Sequence, residues 1–238
     1  MAEPRQTRLA TLLDRDWAQT PTRAALSDGG GRRYLWSYLL QRFVVGAVGL
    51  ALPVVLMVGA YAQTQEFQRS LSAYYYTGLR DVFVGGLVTI GVFLLTYMVF
   101  EKNLDNAASL VAGAAVIVVA WAPTGPPAGG DDSIRVVVHF VAAFVFIAAL
   151  AVLSVRFGWA EGRRSDRDPA QHRWWSLFHY ACAAVIAAAV VFIGITKWSG
   201  VGEEYSLLIG ETLAVLAFGA SWAAKGSELA GQLLGRRG

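Results

Sequence analysis

Apolar residues in this chain run in blocks instead of alternating with polar ones. Six blocks stand out, at about residues 43–62, 82–100, 107–122, 134–155, 174–196 and 205–224. A helix needs roughly 20 apolar residues to cross ~30 Å of hydrocarbon, and within a bilayer only a helix or a closed barrel satisfies its own backbone. The blocks predict an all-α fold, a polytopic transmembrane helix bundle of six spans. The third block, Ala107–Ala122, is the shortest, and its alternative is a tilted or partly re-entrant segment. Pro53 falls near the middle of the first block and predicts a kink there, because proline removes one N–H and crowds the preceding turn.

The polar stretches set the organisation. Residues 1–33 form an N-terminal tail in which Pro21 and Gly29-Gly30-Gly31 interrupt any long helix. The tail reads either as partly disordered or as a short surface helix with Leu9, Leu12 and Leu13 on its apolar face. Residues 34–226 make the membrane domain and residues 227–238 a C-terminal tail. Tyr34, Trp36, Tyr38, Trp159, Trp174, Trp175 and Trp222 read as anchors at the headgroup level, which tyrosine and tryptophan favour. Residues 63–81 are a polar connection, Glu101, Lys102 and Asp105 mark a solvated turn, and Pro123–Ser133 is turn chemistry throughout. Small residues supply the helix contacts: the alanine run of Ala181–Ala189, Gly85, Gly86 and Gly91, and Ala112 to Ala115. In lipid such residues let backbones approach closely.

Charge fixes the orientation. With the N-terminus inside, sixteen Lys and Arg fall on the inner side and four on the outer, which are Arg69, Arg80, Arg135 and Lys197. Such a bias places both termini in the cytoplasm. Charged residues are 16% of the chain, against about 25% in soluble domains. The net charge of +3 comes from these topological arginines, and no basic stripe with interleaved aromatics suggests nucleic acid. The single cysteine, Cys182, lies in a span and makes no intrachain disulfide. Phosphate-binding glycine loops, His-Glu-x-x-His and Gly-x-Ser-x-Gly are absent, as is an internal repeat.

Ionisable residues within spans are costly and commonly functional. His139 lies five residues into the fourth block from its outer end and Glu211 six residues into the last. At ~1.5 Å per residue both stand about 8–9 Å below the outer surface. Asp81 begins the second block, with Arg80 and Arg135 just above. The adjoining connection supplies hydroxyls, among them Ser72 and Tyr76. Ser72, Tyr76, Arg80, Asp81, Arg135, His139 and Glu211 are therefore the candidate ligand-binding residues, converging on an outward-facing polar pocket. Plainer readings stand beside each. Asp81 suits a helix N-terminus, His139 a core histidine bonded to a carbonyl, and the tyrosines an aromatic belt. Glu211 has to find a partner, His139 or a basic group, or stay protonated. A serine paired with His139 and an acid would be a nucleophile arrangement. The spacing suggests no metal site, and no cofactor is expected. At the inner side, His179 and Cys182 read as packing.

The run S-x-S-A-Y-Y-Y-T-x-x-R-D-V-F-V-G, Ser70–Gly85, resembles a family of bacterial multi-pass membrane proteins. Gly91–Tyr97, Val138–Ala143 and Ala217–Gly226 carry the likeness further. It implies the six-span fold and transfers no activity; the family often has histidine where this chain has Tyr76. Ser72, Tyr76 and Asp81 are also similar to part of the motif of alkaline-ceramidase-type membrane hydrolases. That motif's later His-x-x-x-His pair is missing here.

The first functional reading is binding of a small molecule or lipid headgroup in the outer pocket, without catalysis. Arg80 and Arg135 would hold anionic groups, Asp81 and Glu211 would orient donors, and His139 would bridge them. The alternatives are a membrane-embedded lipid hydrolase and a transporter or accessory subunit. Expected partners are membrane lipids, that ligand, and further copies of the chain or other subunits of a membrane complex.

Overall fold

The computed structural model describes the backbone of residues 29–96, 104–125, 134–163 and 169–234, and side chains between 40 and 227 within those ranges. Six α-helices fill it: α1 (Gly29–Thr64), α2 (Arg80–Thr96), α3 (Leu104–Trp121), α4 (Ile134–Gly162), α5 (Pro169–Ser199) and α6 (Ser206–Leu234). Short 3-10 turns at Ser72–Tyr76 and Glu203–Tyr205 precede α2 and α6. No strand occurs among the described residues. Five helices, all but α2, are long and apolar enough to cross a membrane. The described part of α2 is 17 residues long and stops at Thr96. The third block forms one continuous helix of 18 residues, long and apolar enough to cross.

Each helix packs on its neighbours in sequence, and α6 returns to α1, closing a ring. Leu56, Ile90, Leu94, Val116, Leu150, Leu153, Ile186 and Phe218 fill its centre. The outward faces remain apolar: Val141 and Phe144 on α4 and Leu177 and Ile195 on α5 are largely exposed. Arg42, Asp105, Arg156, Glu161 and Lys225 are buried while large apolar side chains face out, the arrangement a lipid solvent favours. Gly46 and Gly49 of α1 meet Ala223 and Gly219 of α6 so closely that a Cβ on Gly46 would stand 2.8 Å from the Ala223 backbone. In α2 and α3, Gly91 and Gly113 make the corresponding approach. The alanine run of α5 buries only one face, with Ala183 and Ala189 inward and Ala184, Ala187 and Ala188 exposed.

Several helices outrun their apolar blocks. α1 begins at Gly29, α4 continues past Val155 to Gly162, and α5 starts at Pro169, a first-turn position where proline's missing N–H costs nothing. Trp222, read as an interface anchor, is instead core, 1% exposed and packed on Phe157 and Phe218. The connection before α2 is likewise not simply polar: Leu71, Ser72 and Tyr74 are buried, so the turn folds back into the bundle mouth. Burial pushes the Tyr74 phenol above its ordinary pKa. The N-terminal tail up to residue 28, the 97–103 connection, most of the 123–133 loop, residues 164–168 and the final residues 235–238 lie outside the described residues.

Candidate functional site

Three of the seven candidate residues come together at the mouth of the ring. The turn Ser72–Tyr76 drops between α4 and α6, and Ser72 serves both. Its Oγ lies 3.0 Å from His139 Nε2. The other ring nitrogen, Nδ1, lies 2.6 Å from the carbonyl oxygen of Ala122, just past the end of α3. Glu211 of α6 accepts from the Leu71 N–H at 2.7 Å, and the Ser72 N–H bonds the same carboxyl. His139 and Glu211 are therefore joined through Ser72, not directly. The carboxyl finds its partners in the main chain, and no basic side chain is needed.

The other four candidates stand around the rim. Tyr76 is half-exposed and its hydroxyl donates to the Thr124 carbonyl. Arg80 is exposed, stacks 4.2 Å over the Tyr75 ring and bonds its hydroxyl. Asp81 is exposed in the first turn of α2, where a negative charge complements the helix dipole. Arg135 is exposed near the start of α4.

Below the turn lies a cavity of about 50 Å³. Its wall is drawn from α1, α2, α3, α4 and α6 and is apolar almost throughout; Leu56, Leu87, Ile90, Phe146 and Phe218 are typical. Ser72 and Glu211 are the polar exceptions, at the end nearest the mouth. Arg80, Asp81 and Arg135 do not line it. Pro53 does, on α1.

A second polar constellation sits at the opposite ends of the helices. Arg156 of α4 donates from Nε to Asp105 Oδ1 of α3 at 2.7 Å, with the Asp105 side chain 1% exposed. Glu161 of α4, fully buried, pairs with Lys225 Nζ of α6 at 2.8 Å and lies 3.5 Å from His172 Nδ1 of α5. Arg42 of α1 is also buried and donates to the Lys225 carbonyl at 3.3 Å. His179 bonds the Ser221 hydroxyl at 2.8 Å. Four helices, α1, α3, α4 and α6, thus contribute three cations and two carboxylates to one tier, and α5 adds His172 and His179. Among the described residues, no three or more His, Cys, Asp or Glu are grouped so as to hold a metal ion.

No family model, curated protein or solved structure matches this chain. What it does must be argued from its own geometry.

This second tier escaped the sequence reading, which took Asp105 for part of a solvated turn and the basic residues for topology alone. A usable signal was present. Counting from the other end of each block places Arg42, Asp105, Arg156, His172 and Lys225 within a residue or two of one level, with Glu161 further along α4. Buried ion pairs are maintained only with good partners, so carboxylates and cations at matched depth on different helices predict pairing.

Proposed function

We propose that this chain is a six-span integral protein of a bacterial inner membrane, with both termini in the cytoplasm, that holds a lipid or similar amphiphile in the cavity beneath the Ser72–Tyr76 turn. The sixteen-to-four distribution of Lys and Arg supports the orientation. Five membrane-competent helices and a sixth apolar block, part of which forms α2, support the span count.

The observation that carries the binding reading is the composition of the cavity wall. Thirteen of its fifteen lining side chains are apolar, and the two polar ones, Ser72 and Glu211, share one end. Pockets of this kind take their affinity from apolar contact and their orientation from a few polar groups. At about 50 Å³ the space is well below the ~300–1,000 Å³ of ordinary ligand pockets, so an alkyl chain enters only as the apolar wall gives way, with its polar head toward the Ser72–Glu211 end. The exposed Arg80 and Arg135 stand outside the wall, where they meet anionic headgroups at the membrane surface.

The test is to purify the full chain in a mild detergent and record its native mass spectrum. A lipid retained at one copy per chain is expected. Ala143, in the cavity wall, is then replaced by phenylalanine. The Ala143→Phe protein should lose the bound lipid while keeping its helical circular dichroism. Retention equal to wild type would remove the cavity as the binding site.

A further inference from the structure

Ser72 is the only hydroxyl side chain in the cavity wall. Its Oγ is 3.0 Å from His139 Nε2, and His139 Nδ1 is 2.6 Å from the Ala122 carbonyl oxygen. A carbonyl oxygen can only accept, so Nδ1 carries the hydrogen of that contact. In the neutral ring this leaves a lone pair on Nε2, and the Ser72 hydroxyl donates to it. Hydroxyl, imidazole and orienting acceptor therefore stand in one line, the arrangement that activates a serine. A main-chain carbonyl takes the place of the carboxylate usually found third. His139 is 1% exposed, so the ring has no water to compete for its lone pair.

Resting on the reading of the cavity as an alkyl-chain site, we infer that Ser72 and His139 form an acyl-transfer pair acting on carboxylic esters with long alkyl chains. The chain lies among Leu87, Ile90 and Phe146 and brings the ester carbonyl to Ser72. The Oγ–C bond forms as the Oγ proton passes to Nε2. The ester C–O bond then breaks, and Nε2 returns that proton to the departing alkoxide, which leaves as an alcohol. Water reverses the roles. It gives a proton to Nε2 as its oxygen bonds the acyl carbon; Ser72 Oγ departs and recovers the proton, and the carboxylic acid is released. No electron transfer is involved.

The experiment uses the full chain in lipid nanodiscs and a long-chain alkyl fluorophosphonate, which forms a stable adduct with an activated serine. Peptide mass spectrometry should find one adduct, on Ser72, blocked by excess long-chain ester and absent in Ser72→Ala. His139→Gln keeps a polar side chain at the site but removes the base, so labelling should slow by about 100-fold or more, the lower end of general-base effects. Labelling at an unchanged rate in a folded His139→Gln protein would overturn the pairing. A wild-type protein that keeps its bound lipid but gives no Ser72 adduct would overturn the acyl-transfer role and leave the binding reading standing. Absence of both lipid and adduct would overturn both. The wild-type adduct decides alone where a variant fails to fold.

Discussion

Removing one partner of the Asp105–Arg156 pair should cost far more than removing both. The two groups meet at 2.7 Å, and their side chains are 1% and 10% exposed. With charge centres about 4 Å apart and an effective dielectric of ~20, their attraction is about 4 kcal/mol. Arg42 and Lys225 also act on the Asp105 charge. The histidines aside, the described tier holds three cations, Arg42, Arg156 and Lys225, against two carboxylates, Asp105 and Glu161. Asp105→Leu raises that excess from one positive charge to two and strands a buried guanidinium, for an expected loss of about 3–5 kcal/mol. Arg156→Met removes the cation and strands the carboxylate, at similar cost. The double variant keeps the excess at one and replaces the pair with apolar bulk, so it should fall within about 2 kcal/mol of the native protein. Cys182 provides the assay. It is the only cysteine and is buried, so a thiol-reactive dye reports unfolding during titration with SDS in micelles. A loss below about 1 kcal/mol for Asp105→Leu, or a double variant as unstable as the two singles added together, would refute the reasoning.

Three further outcomes follow from the geometry. Gly46→Ala should destabilise by about 1–3 kcal/mol, because its Cβ would meet the Ala223 backbone at 2.8 Å, whereas Gly194→Ala meets nothing within 4 Å and should be neutral or stabilising in the same thiol assay. Glu211→Ala strips the acceptor from the Leu71 and Ser72 N–H groups. A loss of about 1–3 kcal/mol and faster hydrogen exchange at those two amides are expected, and unchanged exchange would show that the carboxylate does not hold the turn. Alkaline phosphatase fused within residues 163–168 should be inactive and a fusion after Gly200 active; the reverse pattern would invert the proposed orientation.

The apolar blocks revealed the helices because outward-facing residues such as Val141, Phe144, Leu177 and Ile195 are apolar as well as the buried ones. Helix ends were less legible. Hydropathy marks where lipid contact stops, yet α4 continues through Arg156 and Glu161, whose charges are neutralised by Asp105 and Lys225 on other helices. Such pairs join residues 51 and 64 positions apart, a relation no local window contains. At the mouth, depth counting brought His139 and Glu211 to one level. It could not show that Ser72 would stand between them, because the position of that side chain depends on how the 63–81 connection folds back. Arg80 and Arg135 share the level but point outward, since a sequence gives a residue's height along the bundle more readily than the direction it faces.

The two ends of the ring are fastened by different means. At one, ion pairs and charge-assisted bonds tie α1, α3, α4, α5 and α6 into a single knot. At the other, the Ser72 hydroxyl, a histidine ring and main-chain amides do the fastening, beside the apolar cavity and Pro53 of α1. A barrel of staves clamped at its base spreads only at the rim. On the proposed binding reading, a guest would enter beside the turn, and freezing the ionic knot still tighter would leave that traffic unaltered.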